Sequence, residues 1–224
     1  LFVIGIDFSI QFPAVCISRD FKSFHWIACV NSNLTKAHKK LLEDVQLEHP
    51  SMQFITLPPK SLKHETYSAT ERAKLANYSL LVDTLVNRIC EIVLPHSTGS
   101  PIIVSIEGIA YGAQGNALID ISQATGMLRK SVLDSILKGR EESVFIFSPG
   151  ELKNAIGAKG NAGKFDVYQQ FKANPLIAAN SSLHQVINKY EDQILKDQNV
   201  KSPFMDMIDA YLAVLKIHNT LKES

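Results

Sequence analysis

The chain has 224 residues, 46% hydrophobic and 20% charged, with 23 basic and 22 acidic side chains and a net charge of +1. This balance argues against disorder and is not the strongly basic composition of a protein that coats DNA, although it leaves room for a local basic patch. The length suits one domain over residues 1–224, with insertions at 32–66 and 174–202.

In chain order, "LFVIGID" reads as a buried strand, and "AVCISRD" and "HWIACVNS" as its next two partners in an antiparallel meander bent at Phe12-Pro13. Residues 32–64 carry little periodic signal beyond a short helix around Lys36–Val45. From Asn77 to Leu94 the apolar residues Leu81, Leu85, Ile89 and Ile92 recur at helical spacing, and the helix starts near Ser68. "IIVSIEG" (102–108) is a second strong strand. Ala117 to Leu137 is a long helix after the loop "YGAQGN". "SVFIFSPGE" gives a strand and then a helix start, with Ser148 as N-cap, Pro149 in the first turn and Glu151 at capping-box spacing. "GAKGNAGK" is a Gly-rich loop before a helix over Lys164–Lys172. The segment 174–202 carries one helix near 183–196, and a last helix runs from Ser202-Pro203 to about Leu221. Strands first and helix–strand alternation afterwards predict a mixed α/β sheet flanked by helices.

Cys16, Cys29 and Cys90 form neither a C-x-x-C pair nor a zinc-spaced cluster with histidine, which fits a reducing, intracellular compartment. That compartment is the cytoplasm if the source is bacterial or a virus of bacteria. No apolar stretch reaches the length of a membrane span, so no membrane partner is expected. The apolar start lacks the basic region of a signal peptide.

Two strands end in acids, Asp7 and Glu107. The last helix is apolar nearly all round, yet carries Asp206 and Asp209 three residues apart on one face. Each acid alone reads as structural: Asp7 starting the turn around Ser9, Asp206 at the positive end of a helix. Taken together, four carboxylates from separate segments need neutralising. Divalent cations do this, and two such ions roughly 4 Å apart repel by about 17 kcal/mol at an effective dielectric near 20, so they in turn need several carboxylates. Oxygen-only ligands point to Mg²⁺ or Mn²⁺.

The ordered set "GIDFS", "IEG", "NALIDISQATGML", "SPGELKNAIGAKGNAGK" and "DMIDAYLAV" resembles the RuvC family of Holliday-junction resolvases, thinly at 32–100 and 174–202. The resemblance implies an RNase H-like fold with a mixed five-stranded sheet. It also implies a homodimeric, metal-dependent endonuclease of DNA recombination and repair that hydrolyses phosphodiesters in branched DNA, especially four-way junctions. It places Asp7, Glu107, Asp206 and Asp209 as catalytic ligands of two ions, Mg²⁺ or Mn²⁺, and Lys153 and Lys164 as phosphate contacts. The family's base-stacking aromatic falls at Ala110 or at the neighbouring Tyr111.

From the residues themselves, Gly157, Gly160 and Gly163 allow a backbone to approach phosphate, and Lys159 and Lys164 add charge there. A plain surface loop is the alternative. Arg129, Lys130, Lys138 and Arg140 read as an ordinary solvated face. "AKGNAGK" is also similar to a nucleotide-hydrolase phosphate loop, but Phe165 stands where a magnesium-holding Ser or Thr belongs and a helix precedes it. A sugar-kinase fold needs two such domains. Another RNase H-like nuclease (RNase H or exonuclease), or a nucleic-acid-binding protein without catalysis, remains the alternative.

Overall fold

The computed structural model describes residues 1–59, 65–109, 115–178 and 181–223. Ala110 and Tyr111 lie outside them.

The amino-terminal meander forms as its alternation predicts: β1 (Phe2–Asp7), β2 (Ala14–Arg19) and β3 (Ser23–Asn31) pair antiparallel. The turn after β1 is held by Ser9, whose Oγ accepts the Phe12 N–H at 3.0 Å. Next come α1 (Lys36–Glu48), which is capped by Thr35, and a strand that the sequence did not announce, β4 (Met52–Leu57). The long helix α2 (Tyr67–Val93) leads to β5 (Ile102–Glu107), α3 (Gly115–Val132) with a π-helical turn over Leu133–Leu137, and β6 (Val144–Phe147).

These strands form one sheet in the order β4-β3-β2-β1-β5-β6. β5 is parallel to β1, β6 to β5 and β4 to β3. All five expected strands are present, in the RNase H-like order β3-β2-β1-β5-β6 with helices on both faces, and β4 adds a sixth at the edge beside β3. Every strand but β2 therefore ends at the same edge of the sheet.

Period-two alternation decides what faces what. Phe2, Ile4 and Ile6 of β1 and Ile102, Val104 and Ile106 of β5 pack with Leu85 and Ile89 of α2 and Leu128 of α3. The opposite face carries Val3 and Ile103, packed in a second cluster with the carboxy-terminal helix α9 (Phe204–Glu223). Gly5, Asp7, Ser105 and Glu107 have the same parity, so both acids face the α9 side.

Between β6 and α9 lie α4 (Pro149–Ala155), α5 (Lys164–Ala173), α6 (Pro175–Ala178), α7 (Ser182–Lys189) and α8 (Glu191–Ile194). A two-stranded ribbon follows, of β7 (Leu195–Lys196) and β8 (Asn199–Val200). The single helix expected near 183–196 is thus two helices broken at Tyr190, then a hairpin. The two segments expected as insertions lean on each other: Ser51 Oγ donates to Ser182 Oγ at 3.1 Å, and Lys189 and Tyr190 both donate to Glu48. Leu41, Leu42 and Val45 share one apolar cluster with Leu183, Val186 and Ile187. Among the described residues no helix is long and apolar enough to cross a membrane.

Candidate active site

The parallel register Phe2↔Ile102 through Ile6↔Ile106 sets Asp7 and Glu107 side by side at the ends of neighbouring strands. Their carboxyls share a hydrogen bond. Facing them across the cleft is the first part of α9, with Asp206 and Asp209 one helical turn apart.

What brings α9 so close is Gly5. A Cβ built on Gly5 would stand 2.2 Å from the Ala210 carbonyl oxygen and 2.9 Å from Val214 Cγ2. The helix backbone rests on the strand where a side chain is missing, two residues below Asp7 on the same face. The sequence held a signal for this, since glycine inside a strand marks close approach of another backbone.

Lysines come from the other direction. Ser148 caps α4: its Oγ accepts the Glu151 N–H, and the Glu151 carboxylate accepts the Ser148 N–H at 2.8 Å. One turn on, Lys153 Nζ donates to the Ala162 carbonyl at 2.8 Å, tying the Gly-rich loop back to α4. Gly157 takes a positive φ of 84° as the chain leaves α4, a conformation that costs other residues energy. The loop ends at Lys164, the first residue of α5.

One cleft of about 300 Å³ is lined by Asp7, Glu107, Asp206, Asp209, Lys153 and Lys164, with Ser9 at its rim. Of the residues singled out from sequence, the structure thus brings six together. Lys159 is exposed and is not among the cleft's lining residues. Tyr111 falls outside the described residues. Arg140 is spent on the Leu137 carbonyl, and Lys130 pairs with Asp134. Ser9 both holds the turn, through the Phe12 N–H, and lines the cleft beside Asp7.

The electrostatics are those of crowded acids. Burial, and then the charges of Asp209, Glu107 and Asp206, hold the Asp7 carboxyl well above the usual carboxylate range. Burial and the neighbouring Glu107 push Asp209 up to about 8, against the opposing pull of Lys164 and Lys153. Burial also raises Glu107, opposed by its hydrogen bond with Asp7 and by the two lysines. Asp206 is raised by burial and opposed by a hydrogen bond from Ser202 and by Lys164. Its second oxygen, Oδ2, is buried and makes no hydrogen bond.

As placed, no group of three or more acids, histidines or cysteines among the described residues is arranged to hold a metal ion. Burial instead raises both Asp7 and Glu107 toward their protonated forms. The donor set nevertheless fits a hard divalent cation: four carboxylates, no nitrogen or sulfur ligand, and one buried oxygen without a partner. A cation held by these four acids would supply the positive charge that offsets their mutual repulsion.

No family model matches the chain, and no curated protein matches it. Among solved structures it is similar to the Thermus thermophilus RuvC structure, with a TM-score of 0.45 and 12% identity over 98% of this chain and 96% of that one. It is similar to the same degree, with the same coverage, to T. thermophilus RuvC in complex with Holliday junction substrate.

Proposed function

We propose that the chain is a RuvC-type, metal-dependent DNA endonuclease that resolves four-way junctions by phosphodiester hydrolysis. One observation carries this reading: four carboxylates from two strands and a helix line a single cleft beside two lysines. Asp7, Glu107, Asp206 and Asp209 would hold Mg²⁺ or Mn²⁺. Two such ions supply an activated water and stabilise the leaving oxygen when bound. The chain itself orients the substrate. Lys164, at the mouth, meets a phosphate oxygen by charge-assisted hydrogen bonding. Lys153 keeps the loop that presents Lys164 in place. Burial of the acids excludes bulk water, which strengthens every interaction with the phosphate.

On this reading residues 1–224 form one nuclease domain, 32–66 and 174–202 are elaborations of it, and Tyr111 stacks on bases at the junction centre. Resolution requires two symmetric cuts, so two clefts are paired in a C2 homodimer. The test compares a four-way junction with duplex, flap and RNA–DNA hybrid of matched sequence, each with Mg²⁺ or Mn²⁺. Paired nicks confined to the junction support the proposal. Preferential cutting of the hybrid makes the chain an RNase H, and metal-independent binding without cleavage makes it a binding protein of this fold.

A further inference from the structure

Ser9 is the one hydroxyl among the described residues that line the acidic cleft. Its mounting is firm on both sides. Phe8, just before it, is buried with Ile4 and Ile6 in the cluster on the other face of the sheet. The Ser9 Oγ accepts the Phe12 N–H at 3.0 Å across the β1–β2 turn. That bond takes up a lone pair of the oxygen and leaves the hydroxyl proton free to donate. Asp7, two residues back, is the obvious acceptor, yet its carboxyl shares a hydrogen bond with Glu107 instead. Among the described residues the Ser9 hydroxyl donates to no other group.

This hydroxyl stands at the end of the cleft that the lysines serve least. β1 lies between β2 and β5, with β6 beyond β5. Ser9 is where the chain turns from β1 toward β2, whereas Lys153 belongs to α4, the helix that follows β6. The charges of Lys153 and Lys164 act on Glu107 and Asp209, while the leading charges at Asp7 are those of the other acids. A phosphodiester seated over the four acids presents two non-bridging oxygens, and each needs a donor. A third lysine beside Asp7 would pair with its carboxylate and compete with a divalent ion for it. A neutral O–H makes a short, charge-assisted bond to phosphate and leaves the negative charge of the acids to the cation.

We infer that the Ser9 hydroxyl contacts the substrate, donating to the non-bridging oxygen of the scissile phosphate on the Asp7 side of the cleft. The inference rests on the nuclease reading for that phosphate being the one cut. The contact itself needs only that the cleft holds a phosphate.

The experiment uses the full chain and four-way junctions whose cut site is first mapped with wild type. The cleaved phosphate is then replaced by each phosphorothioate diastereomer in turn, so that sulfur, a weak acceptor, takes the place of one non-bridging oxygen. Ser9→Ala is expected to cut the all-oxygen junction about 10–100-fold more slowly than wild type, as for loss of a hydrogen bond to a charged group. With one diastereomer that penalty largely disappears, and with the other it stays. The ratio of variant to wild type cancels the effect of sulfur on the metal ions, which both proteins share. Ser9→Thr keeps the hydroxyl and restores the wild-type pattern. Thermal melts report on the turn, and Ser9→Cys, close in size and a weak donor, is read in the same way if the alanine variant does not fold. Wild-type rates in Ser9→Ala, or a penalty equal on all three junctions, overturn the contact and leave the nuclease reading intact. If wild type binds junctions in EDTA but cuts none with Mg²⁺ or Mn²⁺, the nuclease reading falls. In that case about tenfold weaker binding by Ser9→Ala at the wild-type Tm upholds the phosphate contact, and unchanged binding removes it too. Absence of both binding and cleavage removes both.

Discussion

Gly5→Ala puts a single methyl group between β1 and α9. The added carbon would stand 2.2 Å from the Ala210 carbonyl, whereas ordinary contact begins at 3.4 Å. The neighbour is helix backbone, not the movable end of a side chain, so α9 must retreat by about 1 Å. Overpacking of this kind costs about 1–3 kcal/mol. It exceeds the gain of up to about 1 kcal/mol from replacing glycine inside a strand. Set against that gain, the net loss of up to about 2.5 kcal/mol lowers Tm by up to roughly 10 °C in a chain of this size. The same retreat moves Asp206 and Asp209 away from Asp7 and Glu107, and a 1 Å misplacement can lower a reaction rate by about 100-fold. A matched control is Gly126→Ala in α3, where nothing lies within 4 Å of the new carbon. That change should raise stability by about 0.5–1 kcal/mol, since alanine outranks glycine in a helix. Both variants are compared with wild type by calorimetry and by metal-dependent junction cleavage. If Gly5→Ala melts at or above the wild-type temperature, the strand–helix contact does not set the site as argued.

Asp7→Asn, Glu107→Gln and Asp209→Asn should each abolish cleavage yet leave junction binding largely intact, by gel shift in EDTA; a variant that cuts at the wild-type rate removes its acid from the site. Metal-free stability should fall as pH rises from about 4 to above 8, because the folded acids, with Asp209 at about 8 and Asp7 well above its usual range, hold protons that the unfolded chain releases near its ordinary carboxylate values. Millimolar Mg²⁺ or Mn²⁺ should flatten that decline in Tm, and an equally steep decline with metal would count against a cation site. Lys164→Ala should weaken junction binding and reduce the slope of log K against log salt by about 0.9, with a smaller effect for Lys159→Ala, as measured by titrations at several salt concentrations.

What the sequence made legible follows from where its patterns are strong. A carboxylate ending a run such as Phe2–Ile6 or Ile102–Ile106 stands out, and so does a pair of aspartates in a helix that is otherwise buried. β4 escaped notice because an edge strand faces neighbours on one side only; four of its six residues are neither fully buried nor patterned by alternation. The β7–β8 hairpin was hidden for a different reason. Asp197 and Gln198 take positive φ values of 49° and 61° at its turn, a conformation usually announced by Asn-Gly or Asp-Gly. The convergence of the site was only half legible. Spacing shows that Asp206 and Asp209 share a face, but the depth to which α9 settles depends on Gly5, and the loop's closure depends on Lys153 reaching the Ala162 carbonyl.

The mutual support of the segments 32–66 and 174–202 bears on how this protein could be shortened. Excising α1 and β4 alone would strip cover from the cluster that holds Leu183, Val186 and Ile187, and would leave Lys189 and Tyr190 without Glu48. Removing α7 alone would expose the apolar side of α1 in turn. Either half-trimmed protein would carry a contiguous apolar patch of the kind that drives aggregation. A minimal version of this protein therefore has to give up both segments together, or keep both.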